Sequence, residues 1–163
     1  MVAQLQTPKL NLTHSLPYTV KGLVQVFTGP HRCFFTNVMA QALRIAGQGS
    51  PVLAVQFLKG GINQGHQHPV RLGQNLDWVR CDLPRCIENA DLDEIETRSI
   101  AQLWALVILD ELSLAVNLGL IPEAEVLTLI GSKPHDLDII LTGPSMPPAI
   151  LDVADQVTEI RRS

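Results

Sequence analysis

The stretch Leu23-Val24-Gln25-Val26-Phe27-Thr28-Gly29-Pro30-His31-Arg32-Cys33-Phe34-Phe35, continued to Ala46, decides the fold. Leu23 to Phe27 is apolar and rich in β-branched residues, and Thr28 to Phe34 is turn-like. From Phe35 onward Val38, Met39, Ala42, Leu43 and Ala46 recur at helical intervals. The pattern predicts a strand, a tight loop and a helix. Such a unit near the start of an α/β domain aims the free N–H groups of the helix at a ligand, most often a phosphate. The loop lacks the chemistry for that. The phosphate-binding motif G-x-x-x-x-G-K-S/T needs a glycine for close backbone approach, a lysine for the phosphates and a hydroxyl for Mg²⁺. With Thr28 in its first place, those three slots hold Cys33, Phe34 and Phe35, and Thr36 stands one place late.

Outward from this unit the chain alternates. Gly47-Gln48-Gly49 stops the helix, and Pro51 to Phe57, with Val52-Leu53-Ala54-Val55, reads as a buried parallel strand. A glycine-rich loop, Lys59 to Pro69, follows at its C-terminal end, where open α/β sheets place ligands. Asn75 to Asp82 reads as a short strand ended by Leu83-Pro84, and Ile87 to Trp104 as a helix with an acidic start. Ala105 to Leu109 is a central strand ending in Asp110-Glu111. Leu112 to Leu118 and Pro122 to Ile130 read as short helices, the second begun by Pro122 in its first turn and closed by Gly131. Leu137 to Leu141 is a buried strand, Thr142-Gly143-Pro144 a turn, Pro148 to Ala154 a helical turn or two, and Gln156 to Ile160 the last strand. The class is α/β, a mostly parallel sheet with helices on both faces. Residues 22–163 are expected to form one domain. Met1 to Lys21, interrupted by Pro8 and Pro17, reads as an N-terminal arm lying on the domain or on a partner.

Composition narrows the function. The 163 residues are 46% hydrophobic and 17% charged, which suits a folded domain with a substantial core. A net charge of -4 provides no basic field for nucleic acid, and aromatics at 4% offer no stacking surface for single strands. No run of apolar residues is long enough to span a bilayer, and Met1 to Leu12 lacks a secretory pattern. The expectation is a cytoplasmic protein with its three cysteines reduced. His66 and His68 with Cys81 and Cys86 are zinc-ligand types, but the Cys81-x₄-Cys86 spacing, broken by Pro84, does not match a zinc ribbon.

Several blocks carry a resemblance. They are Gly22 to Gly29, Ala42 to Gly49, Val52 to Gly60, Leu106 to Leu112, Leu141-Thr142-Gly143 and Ala154 to Glu159. In these blocks and their order the chain resembles the ATP:corrinoid adenosyltransferases, which move the 5′-deoxyadenosyl group of ATP onto the reduced cobalt of a corrinoid. The resemblance implies a RecA-like P-loop NTPase fold and a homodimer, with ATP, Mg²⁺ and a corrinoid as ligands. It places the nucleotide at Thr28, Gly29, Arg32, Thr36, Asp110 and Glu111, with Asp110 toward Mg²⁺, and makes Arg44 and Lys59 further candidate contacts. The family's loop, roughly Thr-Gly-Asn-Gly-Lys-Gly-Lys-Thr-Thr, falls on Thr28 to Thr36 and matches only at its ends. Pro30 removes an N–H donor, His31 and Cys33 replace glycines, and Phe34 and Phe35 replace the cation and the Mg²⁺ hydroxyl. Pro144 stands where the family tends to have an arginine.

The expectation that follows is a degenerate family member that acts as a binding or assembly protein for a protein partner, requires no cofactor, and has Phe34 and Phe35 filling the former phosphate cradle. Two alternatives stay open. One is a working cob(I)alamin adenosyltransferase that grips ATP through the helix start, Arg32, Thr36 and Asp110. The other is a small-anion or corrinoid-binding module without chemistry, to which His31-Arg32 would contribute. Asp110 has a structural reading as well, as the cap of the helix after its strand.

Overall fold

Runs such as Val52-Leu53-Ala54-Val55 and Leu106-Val107-Ile108-Leu109 have no polar face, so strands made of them need cover on both sides. The computed structural model describes residues 20–32, 35–58, 70–80 and 104–161, and it provides that cover. In chain order the elements are β1 (Val24–Gly29), α1 (Thr36–Gly47), β2 (Val52–Gln56), β3 (Val70–Leu72), β4 (Leu76–Arg80) and β5 (Leu106–Asp110), then α2 (Leu112–Asn117), α3 (Glu123–Ser132), β6 (Asp138–Pro144), α4 (Pro148–Asp152) and β7 (Gln156–Glu159). The strands form one seven-stranded sheet in the order β3-β4-β2-β5-β6-β1-β7. Every pairing is parallel except the hairpin of β3 with β4.

Alternate residues of the central strands feed two cores. Val52, Ala54, Leu106, Ile108, Ile140 and Phe27 lie with Val38, Ala42 and Ala46 of α1. Their neighbours Leu53, Val55, Val107, Leu109, Ile139 and Leu141 lie with Leu112, Val126, Leu129 and Ile150 of the other helices. Handedness accounts for the division. From β1 the chain crosses to β2 in one direction along the sheet, and from β5 to β6 it moves in the other, so right-handed crossovers put their helices on opposite faces. The C-terminal ends of β1, β6, β5 and β2 therefore open on one crevice of a P-loop NTPase-like α/β fold.

The opposite end of β1 is fastened by charge. The Leu23 N–H donates to Asp138 Oδ1 at 2.7 Å and the Val24 N–H to Asp155 Oδ2 at 2.8 Å. Lys133 Nζ donates to the carbonyls of Gly22 and Leu137, each at 2.9 Å. Loss of hydration lowers the pKa of this ammonium, and Lys21 adds to the effect. Gly22 lies so close to Leu137 that a Cβ would stand 2.1 Å from its carbonyl oxygen.

Several expectations are corrected. Thr142-Gly143-Pro144 is no turn: it completes β6, because Thr28 pairs with Gly143 and Gly29 with Pro144. Gly131 lies inside α3, which ends where Lys133 turns extended (ψ 145°) ahead of Pro134. Pro122 is the N-cap residue and precedes the first turn. The edge strand β3 was not anticipated, since three largely exposed residues carry little pattern. It joins β4 through Gly73 at φ +69°, a loop that glycine eases. The arm as far as residue 19, the 59–69 loop and the helix read from Ile87 lie outside the described residues. Trp104, the expected end of that helix, is buried in the core beside α2 and α3.

Two outcomes follow. Gly22→Ala forces a Cβ into backbone and is expected to destabilise by about 1–3 kcal/mol in urea unfolding. Asp155, whose pKa the Val24 N–H holds below its ordinary 3.8, stabilises the fold above that pH and loses the contribution as pH falls through its folded value. Asp155→Asn should flatten the acid limb of a melting-temperature profile below about pH 4 and leave its neutral limb parallel to wild type.

Candidate functional site

A polar residue at the C-terminal end of an otherwise apolar strand is held under the crevice, where burial requires a partner. Four strands end this way. Gln56 closes β2, Asp110 closes β5, Thr142 stands near the end of β6 and Thr28 near the end of β1, all four buried. The Thr142 hydroxyl donates to Asp110 Oδ1 at 2.7 Å, and Gln56 Nε2 donates to Asp110 Oδ2 at 2.8 Å. Arg80, at the end of β4, donates its Nε to Gln56 Oε1 at 2.9 Å and lays its guanidinium 4.7 Å over the Trp78 ring. Asp110 is thus held on both oxygens.

Glu111 follows in a left-handed conformation, φ 63° and ψ 23°, unusual for a residue with a side chain. Its N–H donates to the Thr142 hydroxyl at 3.0 Å, which secures the turn. Its carboxylate takes both arms of a fork from Arg32, Nε to Oε1 at 2.5 Å and Nη2 to Oε2. One continuous hydrogen-bonded path thereby runs from Arg80 through Gln56, Asp110, Thr142 and Glu111 to Arg32.

Of the residues expected at the site, Arg32, Asp110 and Glu111 are brought together. Thr28 and Gly29 lie beside them but act as strand: the Thr28 hydroxyl donates to the Gly143 carbonyl at 2.8 Å, and the Gly29 carbonyl accepts from the Ser145 N–H at 3.0 Å. Thr36 is exposed at the start of α1. Arg44 lies in the last turn of that helix, about 12 Å along its axis from Thr36 and toward the far edge of the sheet. Lys59, Cys33, Phe34, His66, His68, Cys81 and Cys86 lie outside the described residues. Among the described residues no group of three or more His, Cys, Asp or Glu is placed to hold a metal. The capping reading of Asp110 is corrected, since the N-cap position of α2 is held by Glu111, whose side chain makes no capping hydrogen bond.

Thr142, Gln56 and Arg80 belong to the network, Ser113 fastens the neighbouring end of β6, and all four were missed in the sequence. The available signal was a polar side chain closing an apolar run, as at Val55-Gln56 and Leu141-Thr142. Ser113 gave none. Its buried hydroxyl donates to the Pro144 carbonyl at 2.6 Å, and a Cβ on Gly143, at φ +139°, would stand 2.1 Å from its Oγ.

The described residues do not fit a magnesium-bound triphosphate. Both Glu111 oxygens are taken by Arg32 and both Asp110 oxygens by Thr142 and Gln56. Where the phosphate motif needs the metal's hydroxyl stands Phe35, 3% exposed, with its ring centroid 6.1 Å from that of Phe27.

Residues 20–163 match the family model described as ATP:corrinoid adenosyltransferase BtuR/CobO/CobP. The chain is 28% identical over 151 residues to the corrinoid adenosyltransferase of Escherichia coli, covering 86% of this chain and 77% of that one. It is 29% identical over 155 residues to the corrinoid adenosyltransferase of Pseudomonas aeruginosa, with 86% and 75% covered. To an uncharacterized protein of Nostoc sp. it is 41% identical over 162 residues, 84% of this chain and 43% of that one.

Thr142→Val tests the junction. The substitution leaves the buried Glu111 N–H without its acceptor and removes the Thr142 donor from Asp110 Oδ1, so a loss of about 2–3 kcal/mol is expected, read as a lower urea midpoint at unchanged slope.

Proposed function

The chain belongs to the ATP:corrinoid adenosyltransferase family, and from that premise we propose that it is a binding or assembly protein of the family without ATP-dependent adenosyl transfer. The observation that carries the proposal is the placement of Phe35. Its ring is packed with Phe27, Val38, Ala42, Ile108 and Ile140 beneath α1. Burying a phenyl ring stabilises by about 1.5–3 kcal/mol, but the ring offers neither a ligand to a metal nor a donor to a phosphate. The loop start has been given over to the core.

The remaining parts of the reading are a domain from residue 22 onward, an arm over 1–21, and a homodimer working in the cytoplasm on a protein or corrinoid partner. Exposed Val153, Val157 and Ile160 beside the edge strand β7 support a covered edge. Among the described residues no helix is long and apolar enough to cross a membrane.

A nucleotide titration is the test. A ligand that binds only the folded chain, at 100 times its Kd, stabilises it by about 2.7 kcal/mol, which raises the melting temperature of a chain of this size by about 5–10 °C. ATP with Mg²⁺ at millimolar concentration should produce no such rise. A saturable rise that Asp110→Ala abolishes would overturn this reading in favour of a nucleotide-binding family member. A corrinoid absorbance titration without ATP then separates a corrinoid-binding role from a purely protein-binding one.

A further inference from the structure

Glu111 is a buried carboxylate whose side chain is 7% exposed, while that of its partner Arg32 is 55% exposed. The two are 79 residues apart in sequence. Arg32 comes from the loop after β1, Glu111 from the turn after β5, and the C-terminal end of β6 lies between those strands. The pair therefore closes over the crevice from one side to the other. A carboxylate this deep is costly without a counter-charge, and the counter-charge here is a planar cation whose fork matches both oxygens. An arginine keeps its positive charge across the physiological range. Next to it, Asp110 accepts hydrogen bonds from Thr142 and from the Gln56 amide that Arg80 orients.

We propose that Arg32 is a built-in cation that takes the place of a divalent metal at the acidic end of β5, so that the folded chain neither needs nor admits such an ion there. Adjacent carboxylates are what hard divalent cations bind. The guanidinium holds both Glu111 oxygens and would have to be displaced first. This deepens the reading above, since it names what keeps the site closed, but it stands on the Arg32–Glu111 pair and not on Phe35.

The test uses Mn²⁺ alone, with no nucleotide, followed by the electron paramagnetic resonance signal of the free ion. Wild type should leave the signal of sub-millimolar Mn²⁺ unchanged. Arg32→Ala and Arg32→Gln should each bind about one equivalent at least tenfold more tightly than wild type, and adding Glu111→Gln to either should abolish the gain. The melting temperature is a second measurement. Arg32→Ala should melt lower than wild type and be restored by Mn²⁺, with wild type indifferent to the ion. If wild type binds Mn²⁺ as tightly as the variants, or if neither variant gains Mn²⁺ binding or Mn²⁺-dependent stability, the proposal is wrong. Because ATP is absent throughout, that failure is separate from the failure of the nucleotide result.

Discussion

The Thr142 hydroxyl is bonded in both directions: it gives its proton to Asp110 and receives one from the Glu111 N–H. Everything at the C-terminal edge depends on that one group. It lets an aspartate sit at the end of a buried strand, and it holds the left-handed turn that aims Glu111 back across the crevice. Without the turn Glu111 would not face Arg32, and without Asp110 the Gln56 amide would lose its acceptor.

A network of this kind exists because the sheet is buried on both faces. Apolar side chains serve on either side of β2 and β5, so polar chemistry is confined to the strand ends. At the N-terminal edge the same confinement gives a different solution. There Asp138 and Asp155 take backbone N–H groups at the start of β1, and Lys133 takes carbonyls. One edge is fastened by charge to main chain, and the other by side chain to side chain. The first is a structural end, and the second is the end at which a parallel sheet presents ligands.

The chain has the family's fold with a loop that departs from the phosphate-binding motif. Phe35 adds to the core beneath α1, and Arg32 pairs with the buried Glu111 carboxylate. A buried ring or a satisfied carboxylate is a sizeable fraction of the marginal stability of a domain.

Much was legible in the sequence. Continuous apolar runs bounded by turn residues located the main strands within a few residues, and helical spacing from Val38 to Ala46 located α1, because burial on both faces or on one stripe leaves a periodic trace. The acidic pair at the end of β5 and the altered loop were visible for the same reason: each interrupts a pattern. What the sequence left open needed distance. Thr142 looks like a turn residue until β1 is seen to extend β6 past it. Ser113 and Arg80 look like ordinary polar residues until Pro144 and Gln56 come within hydrogen-bond reach. Arg32 could have pointed at a phosphate, at solvent or at another part of the chain. The turn at Glu111 decided among these, because a carboxylate buried by the fold requires a cation and the loop after β1 is where one could reach it. Local sequence records how each segment meets water; only the tertiary structure decides which buried charges meet one another.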